Sequence, residues 1–171
     1  MSRPRRPLPK EPDPIRIRPV EARDAAQWLG LRARLWPDGS AEEHEGEIEA
    51  FLRGGSPLLE PAVLVAVDPA DRLVGFAELS VRACAEGCSS SRIAYLEGWF
   101  VVEERRGRGV GHALIRAAET WARERGCEEF ASDTDPENSV GQAAHEAVGF
   151  EDVGLVRCYR KRIEPGGDAG R

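Results

Sequence analysis

A strand, a glycine-rich turn and an amphipathic helix follow one another in the middle of the chain, and this succession constrains the fold more than any other feature. Residues 93–102 form an apolar run that predicts a strand, and the turn comprises Arg106, Gly107, Arg108, Gly109, Val110 and Gly111. Apolar residues then recur at helical spacing to about residue 126, and residues 130–133 predict another short strand. Two sheet neighbours joined through a helix are expected to lie parallel, with a right-handed crossover.

Further helices and strands are predicted on both sides of this unit. They are a strand at 15–19, helices at 24–36 and 41–53, strands at 62–68 and 73–83, a helix at 139–148 and a final strand at 153–163. Ser40 and Glu43 form a capping-box pattern before the second helix. The short turn at 69–72 predicts an antiparallel hairpin. The expected fold class is therefore α/β, a single-domain mixed β-sheet flanked by helices.

One domain is expected between two disordered tails. The chain of 171 residues is long enough for one domain with a proper core. Residues 1–14 are basic and rich in proline, without the apolar segment of a signal peptide, and residues 164–171 are rich in glycine. We expect the domain to span residues 15–163. The basic tail could contact an anionic surface, but a solvated arm is the favoured interpretation.

Charge and cysteine usage exclude several classes of function. The formal net charge is −6, whereas nucleic-acid binding needs a concentrated basic surface. A small cationic substrate is compatible with that charge.

No apolar run is long enough to span a membrane, and without an export signal we expect a cytoplasmic protein. Cys84 and Cys88 lack the spacing of a zinc site, so no metal is expected, and Cys127 and Cys158 are expected to be buried.

The glycine-rich turn has the chemistry of a phosphate site. Backbone N–H groups at the start of a helix attract an anion, and Arg105, Arg106 and Arg108 add positive charge. The turn follows the fourth predicted strand and lacks the downstream acid of a Rossmann site, and it lacks the Lys-Ser/Thr of a P-loop. A turn that wraps a pyrophosphate remains. The alternative is a glycine-rich loop held only by packing.

Two motifs carry a resemblance to a known family. Arg106-x-x-Gly109-x-Gly111 after a strand matches the acetyl-CoA-binding motif of the GCN5-related N-acetyltransferases. Residues 138–150 resemble the family's Asn-x-x-Ala-x-x-x-Tyr-x-x-x-Gly-Phe segment, with Gly141 in place of the alanine and His145 in place of the tyrosine. Residues 31–37, 95–101, 132–133 and His145 further resemble the aminoglycoside 6′-N-acetyltransferases of that superfamily.

This resemblance implies a fold, a co-substrate and a reaction. The implied fold is the mixed sheet of these acetyltransferases, and acetyl-CoA is the implied co-substrate, without a metal. An amine, favoured as the 6′-amine of an aminoglycoside, would attack the thioester directly in a ternary complex. A polyamine or a protein amine is the alternative acceptor, and a non-catalytic acetyl-CoA sensor is the alternative from another functional class. The resemblance also favours a homodimer.

The resemblance assigns the cofactor contacts to three segments. The pantetheine arm is expected to pair along the backbone of Phe100, Val101 and Val102, with a backbone amide near Val101 binding the acetyl carbonyl. The turn would bind the pyrophosphate through its six residues. Asn138 is the third expected contact, although an asparagine at this position can equally cap the helix that follows.

Glu97 is the first candidate for the general base. A carboxylate inside an apolar strand is costly unless it faces a cleft or a partner, and the amine must lose a proton before it attacks. Strict alternation places Glu97 on one face with Tyr95 and Trp99, although a bulge at Gly98 would redirect it. The alternative is an ordinary buried salt bridge.

The other candidate residues lie at the ends of predicted elements. Asp133 could share the base role or bind substrate ammonium groups, whereas Asp135 precedes a proline and equally suits turn capping. His145 could act as general acid to the departing thiolate, or could be structural. The expected substrate contacts are Trp36, Asp38, Tyr95, Glu97, Trp99, Asp133 and Asp135. The acidic run Glu42, Glu43, Glu45, Glu47 and Glu49 is either the rim of the substrate cleft or a solvated face.

Overall fold

The computed structural model describes residues 14–162, so the predicted tails lie outside the described residues apart from residue 14. Five strands and four α-helices follow one another within this range. They are β1 (Arg16–Pro19), α1 (Ala25–Leu35), α2 (Ala41–Leu52), β2 (Leu59–Val67), β3 (Leu73–Arg82), β4 (Ile93–Val101), α3 (Val110–Glu124), β5 (Glu129–Ser132) and α4 (Ser139–Ala147). Two short 3₁₀ turns, Ala22–Asp24 and Glu103–Arg105, precede α1 and follow β4.

The strands form one sheet in the order β1-β2-β3-β4-β5. The first three neighbouring pairs are antiparallel, whereas β4 and β5 are parallel and connected through α3. Antiparallel neighbours follow from the short connections, and the parallel pair needs the longer helical crossover. The mixed α/β sheet predicted from the sequence is confirmed.

Helices cover both faces of the sheet. On one face, α3 buries its apolar stripe, which includes Leu114 and Ala118, against β-sheet residues such as Leu96. On the other face, α1 and α2 bury Trp28 and Ile48 against Phe76. No helix within residues 14–162 is long and apolar enough to cross a membrane.

The start of α2 forms as its sequence predicts. The Glu43 amide donates to Ser40 Oγ over 3.2 Å, and the Ser40 amide donates to the Glu43 carboxylate over 2.9 Å. These reciprocal bonds satisfy two N–H groups that a helix start leaves open. The same carboxylate has a lowered pKa, because the Ser40 backbone N–H donates to its ionised form. The helix therefore begins at a defined residue, which positions its acidic side chains.

The predicted final strand does not form. Residues 151–162 contain no strand, and residue 163 lies beyond the described range. The apolar side chains that suggested it are largely exposed: Val153, Leu155, Val156 and Tyr159. Cys158 is exposed as well, against the expectation of burial, whereas Cys127 is buried. Alternation specifies which residues would share a face, but a strand also needs a neighbouring backbone, and none of the described strands pairs with this segment.

Candidate active site

Glu97 is the extra residue of a β-bulge in β4. Gly98 lies opposite Glu78 of β3, and Leu96 lies opposite Leu79, so Glu97 has no partner residue on β3. A bulge shifts the alternation of side chains by one position. As a result Leu96 and Trp99 both pack toward α3. Glu97 instead lies with the side chains that face α1 and α2, so the strict alternation that grouped it with Trp99 is wrong.

The Glu97 carboxylate has two partners from β3. The hydroxyl of Ser80 donates to its Oε1, and the guanidinium of Arg82 donates to both carboxylate oxygens, over 3.1 Å from Nε and 2.5 Å from Nη2. Ser80 is buried, whereas the Arg82 side chain is 41% exposed. Glu97 therefore takes part in an ion pair that is open to solvent on the arginine side. A cationic ligand could compete for such a carboxylate.

Arg82 also connects Glu97 to Asp133. Its guanidinium carbon lies 3.3 Å from the centroid of the Tyr95 ring, a cation–π contact. The Tyr95 hydroxyl hydrogen-bonds to Asp133, and burial together with this bond raises the pKa of Tyr95 to about 12. Tyr95 is consequently a neutral donor at physiological pH. The structure thus brings together three predicted site residues, Glu97, Tyr95 and Asp133, through an arginine that the sequence did not single out.

Glu78 is a second carboxylate on the same side of the sheet, and the sequence analysis missed it. Its Oε1 accepts a hydrogen bond of 2.8 Å from Trp28 Nε1 and lies 3.5 Å from Nη1 of Arg32. Burial raises the pKa of Glu78 to about 7, although Arg32 and Trp28 act in the opposite direction. A carboxyl group that titrates near neutral pH inside a cleft is typical of functional sites.

The signal that would have revealed Glu78 is the one that revealed Glu97. Both are carboxylates inside apolar strands, and burial of such a group without a partner is costly. Arg82 and Ser80 carry no comparable signal, because a polar residue near the end of a strand is ordinary. Their importance follows only from the register of β3 against β4.

Arg32 and Trp36 of the α1 region complete this side of the site. The Arg32 guanidinium carbon lies 5.0 Å from the centroid of the Trp36 ring. The same guanidinium group forms an ion pair with the Glu47 carboxylate. The Trp36 ring rests on Gly98, where an added Cβ would lie 2.4 Å from the ring. Only glycine leaves room for this contact. The indole is therefore positioned by the bulge that also exposes Glu97.

Glu97, Glu78, Arg32 and Trp36 border a cavity of about 740 Å³. Five carboxylates line it: Glu42, Glu43, Glu47, Glu78 and Glu97. Trp36 and the buried His44 lie among its other lining residues, whereas Asp38, Tyr95, Trp99, Asp133 and Asp135 do not. An anionic cavity with aromatic surface suits an organic cation carrying several ammonium groups.

The predicted phosphate turn has the backbone that its glycines predict. Gly107 and Gly109 have φ values of +67° and +81°, which favour glycine, and Gly109 is the N-cap of α3. Gly111 is required for another reason, since a Cβ there would lie 2.7 Å from the Trp99 ring. The side chain of Arg106 donates to the Val101 carbonyl over 2.9 Å, which joins the turn to the end of β4. The first N–H groups of α3 then point toward the turn.

The strands β4 and β5 separate next to this turn. Their ladder runs from Ile93–Glu129 to Leu96–Ser132 and ends there within the described residues. Phe100, Val101 and Val102 lie past that point, and the Val102 amide donates to Val74 of β3. A gap therefore opens beside the segment to which the pantetheine arm was assigned.

His145 of α4 lies at the end of the β4–β5 ladder, whereas Asn138 and Asp135 make local capping bonds. His145 Nε2 lies 2.9 Å from Ser132 Oγ, and its ring meets the Trp99 ring edge to face. Asn138 caps α4 by accepting from the Gly141 amide over 2.9 Å, and Asp135 accepts from the Glu137 amide over 2.7 Å. Asn138 thus caps α4 and Asp135 caps a turn, the alternatives that the sequence offered for these two residues. Among residues 14–162, no group of three or more His, Cys, Asp or Glu side chains could hold a metal ion.

Comparison with known proteins identifies one family. Residues 25–150 match the family model described as Acetyltransferase (GNAT) family. The chain is 54% identical over 147 residues to aminoglycoside N(6′)-acetyltransferase type 1 of Klebsiella aerogenes, an alignment that covers 86% of this chain and 96% of that protein. It is 40% identical over 150 residues to the protein of the same name from Stenotrophomonas maltophilia, covering 87% and 94%.

Solved structures agree with the sequence relatives. AAC(6′)-Iy in complex with the bisubstrate analogue CoA-S-monomethyl-acetylneamine superimposes with a TM-score of 0.79 at 38% identity, covering 87% of this chain and 99% of that one. Aminoglycoside N-acetyltransferase AAC(6′)-Iy in complex with CoA gives a TM-score of 0.81 at 37% identity, covering 91% and 100%.

Proposed function

The chain belongs to the GNAT family of acetyltransferases, and we propose that it transfers the acetyl group of acetyl-CoA to the 6′-amine of aminoglycosides. The observation that carries the acceptor assignment is the cavity lined by five carboxylates, which opens at the Glu97 bulge. Relatives named as aminoglycoside 6′-acetyltransferases support it, as does the AAC(6′)-Iy complex with a bisubstrate analogue, which suggests a ternary complex. The proposed consequence is resistance to these antibiotics.

Acetyl-CoA binds on the α3 side of the site. The N–H groups of the turn and of the first turn of α3 hold the pyrophosphate, and Arg106 and Arg108 add charge. The pantetheine arm lies in the gap between β4 and β5, pairing with the backbone at Phe100, Val101 and Val102. A backbone N–H of this segment binds the acetyl oxygen as negative charge develops on it. Asn138 is the third proposed contact of the cofactor.

The aminoglycoside binds in the acidic cavity. Its ammonium groups pair with the carboxylates of α2 and β3, and a sugar ring stacks on Trp36. Glu42, Glu43 and Glu47 line the cavity while remaining exposed, which supports the proposal that the acidic run of α2 forms the rim of the cleft. Asp38 and Asp133 lie outside the cavity lining and would contact substrate groups that project from it.

The reacting amine must lose a proton before attack. With a reference pKa of about 10.4, the neutral amine costs roughly 4–5 kcal/mol at pH 7. Glu97 accepts the proton, directly or through water, and Asp133 is the alternative acceptor at the other end of the Arg82–Tyr95 connection. Arg82 assists by placing positive charge beside the ammonium, which favours the neutral amine.

Measurement of CoA release with a panel of aminoglycosides tests this function. Compounds that carry a 6′-amine should be acetylated, and a matched compound with a 6′-hydroxyl should not. Turnover of polyamines or peptides instead would move the protein to another acceptor class. Acetyl-CoA binding without turnover of any amine would indicate a sensor and contradict the proposal.

The assembly and location follow from the same proposal. Val153, Leu155, Val156 and Tyr159 leave an apolar surface exposed on residues 153–159, and a second copy of the chain in a homodimer would cover it. Leu155→Asp should then shift the molar mass measured by light scattering from dimer to monomer. The need for acetyl-CoA is consistent with action in the cytoplasm.

A further inference from the structure

The glycine turn projects from the fold between two fixed ends. Residues 106–109 are exposed, and an added Cβ at Gly107 or Gly109 would meet no atom of residues 14–162 within 4 Å. At the far end Val110, the first residue of α3, is buried in the core. The conformation that the turn presents to a ligand therefore depends on how the connection leaving β4 is fixed at its near end.

A buried carboxylate from another hairpin reaches this near end. After β4, the Val102 amide donates to the Val74 carbonyl over 3.0 Å, and the 3₁₀ turn Glu103–Arg105 follows. Nη2 of Arg105 lies 3.7 Å from Oδ2 of Asp68, the residue that follows β2. The side chains of Arg105 and Asp68 are only 14% and 1% exposed. The pair is therefore shielded from water, where the attraction between opposite charges would be weaker.

The two carboxylate oxygens of Asp68 have separate partners. Oδ1 accepts from the backbone amides of Ala70 and Arg72, over 2.9 and 3.0 Å, and thereby holds the turn between β2 and β3. Oδ2 accepts from Nε and Nη2 of Arg72, over 2.9 and 2.7 Å, and also faces Arg105. One oxygen thus shapes the hairpin, and the other connects the hairpin to the segment before the glycine turn.

We propose that Asp68, acting through Arg105, positions the glycine turn for the pyrophosphate of acetyl-CoA; this assignment rests on the proposed cofactor site at the turn. Arg105 is then a positioning residue rather than a phosphate ligand, unlike Arg106 and Arg108. The physical gain is preorganisation, because a turn already fixed in its binding conformation loses less conformational entropy when the anion binds. Asp68 thus raises the affinity for an anion although it is itself an anion.

The sign of the effect of Asp68→Asn tests this assignment. Asparagine keeps an oxygen for the two backbone amides, so the hairpin is retained, but it cannot form an ion pair with Arg105. Removal of a negative charge would by itself strengthen the binding of anionic CoA. Loss of positioning should instead weaken the affinity for CoA, measured by calorimetry, about three- to tenfold. Unchanged or tighter binding would overturn the proposal.

Asp71→Asn provides the matched control. It removes the same charge from the same hairpin, but the Asp71 side chain is 58% exposed and pairs with Arg16 at the surface, over 3.6 Å. The CoA affinity of this variant should stay within about twofold of wild type, since exposed ion pairs contribute little. A loss equal to that of Asp68→Asn would show that the buried pair has no special role, and would contradict the proposal.

A double variant distinguishes positioning from direct contact with phosphate. If Arg105 acts with Asp68, Arg105→Gln should weaken CoA binding by itself but cause no further loss in the Asp68→Asn background. An arginine that contacts the phosphate would cause the same loss in both backgrounds, which would overturn the proposal. The KM for an aminoglycoside should remain that of wild type in each single variant. An equal rise for both substrates would make the pair purely structural.

The salt dependence of CoA affinity decides the matter if Asp68→Asn fails to fold. Arg105→Gln should weaken binding without changing this dependence, because a positioning residue adds no contact that salt can screen. A flatter dependence would show that Arg105 contacts the phosphate, against the proposal. Failure of the wild-type protein to bind CoA would contradict the cofactor site itself. Wild-type binding with an unimpaired Asp68→Asn variant would overturn only the Asp68 assignment.

Discussion

The two halves of the proposed site, one for acetyl-CoA and one for the amine, are built in different ways. The proposed cofactor half comes from one continuous stretch, in which β4, the glycine turn and α3 follow one another, and its proposed contacts are backbone N–H groups. The acceptor half is assembled from residues far apart in the chain: Trp28 bonds to Glu78, Arg32 pairs with Glu47, and Arg82 pairs with Glu97. A site made of backbone leaves a motif in the sequence, whereas a site made of side-chain pairs does not. Substitutions that affect one half alone provide tests of this distinction.

The largest effect is expected from Glu97→Gln. Removal of the proton acceptor should lower kcat by about two to three orders of magnitude, because general-base catalysis is worth that much. The affinity for acetyl-CoA, measured by calorimetry, should remain that of wild type. Glu104→Gln removes the same charge from an exposed position after β4 and serves as the control. Loss of cofactor affinity equal to the loss of turnover would show that Glu97 supports the fold of both halves.

Glu78→Gln tests a buried carboxyl of the acceptor half through stability. In the folded protein burial raises the pKa of Glu78 from its ordinary 4.5 to about 7, so the folded state holds its proton more tightly than the unfolded state. Wild-type stability should therefore fall as the pH rises from about 4.5 to about 7, by up to roughly 3 kcal/mol.

The variant should lose this pH dependence. Glutamine keeps an acceptor for Trp28 Nε1 but cannot ionise, so the variant should gain stability relative to wild type as the pH rises. Urea unfolding at pH 5 and at pH 8 measures the difference. A stability difference between variant and wild type that is the same at both pH values would refute a raised pKa for Glu78.

Gly98→Ala should weaken aminoglycoside binding without changing the glycine turn or the affinity for acetyl-CoA. The new methyl group would lie 2.4 Å from the Trp36 ring, so the indole must move away from the cavity wall. Overpacking of this kind costs about 1–3 kcal/mol. The KM for an aminoglycoside should rise about tenfold, with the acetyl-CoA affinity preserved. An unchanged KM would show that Trp36 does not contact the substrate.

Gly109→Ala makes the converse test and should have the smallest effect. An added Cβ meets nothing within 4 Å, so its cost comes from the left-handed backbone at φ +81°, about 1–2 kcal/mol. Relaxation of the turn should weaken acetyl-CoA binding up to about tenfold while aminoglycoside binding stays unchanged. Gly30→Ala, in an exposed turn of α1 with equally open space, should instead stabilise the protein slightly. Tighter cofactor binding by Gly109→Ala would show that the strained turn is not the binding conformation.

The sequence alone was sufficient where the physics is local. The apolar stripe of α3, the Ser40 capping box and the positive φ values of Gly107 and Gly109 all follow from spacing and residue type within a few positions. The family resemblance rested on the same local segments, and family membership is confirmed. The segment at 153–162 shows where local pattern fails. Its alternation is that of a strand, yet it pairs with none of the described strands.

The register between β3 and β4 decided what the sequence left open. It inserts Glu97 as a bulge and moves Trp99 to the opposite face. It also sets Ser80 and Arg82 beside the Glu97 carboxylate, with Glu78 in the wall of the same cavity. A shift of one residue reverses every side chain of a strand, and the sequence of one strand does not state where its neighbour bulges. The sequence by itself therefore determined the fold class, the glycine turn that precedes α3 and the presence of a carboxylate in β4. Only the tertiary structure decided which charged and aromatic side chains meet that carboxylate, because those contacts join residues that are distant along the chain.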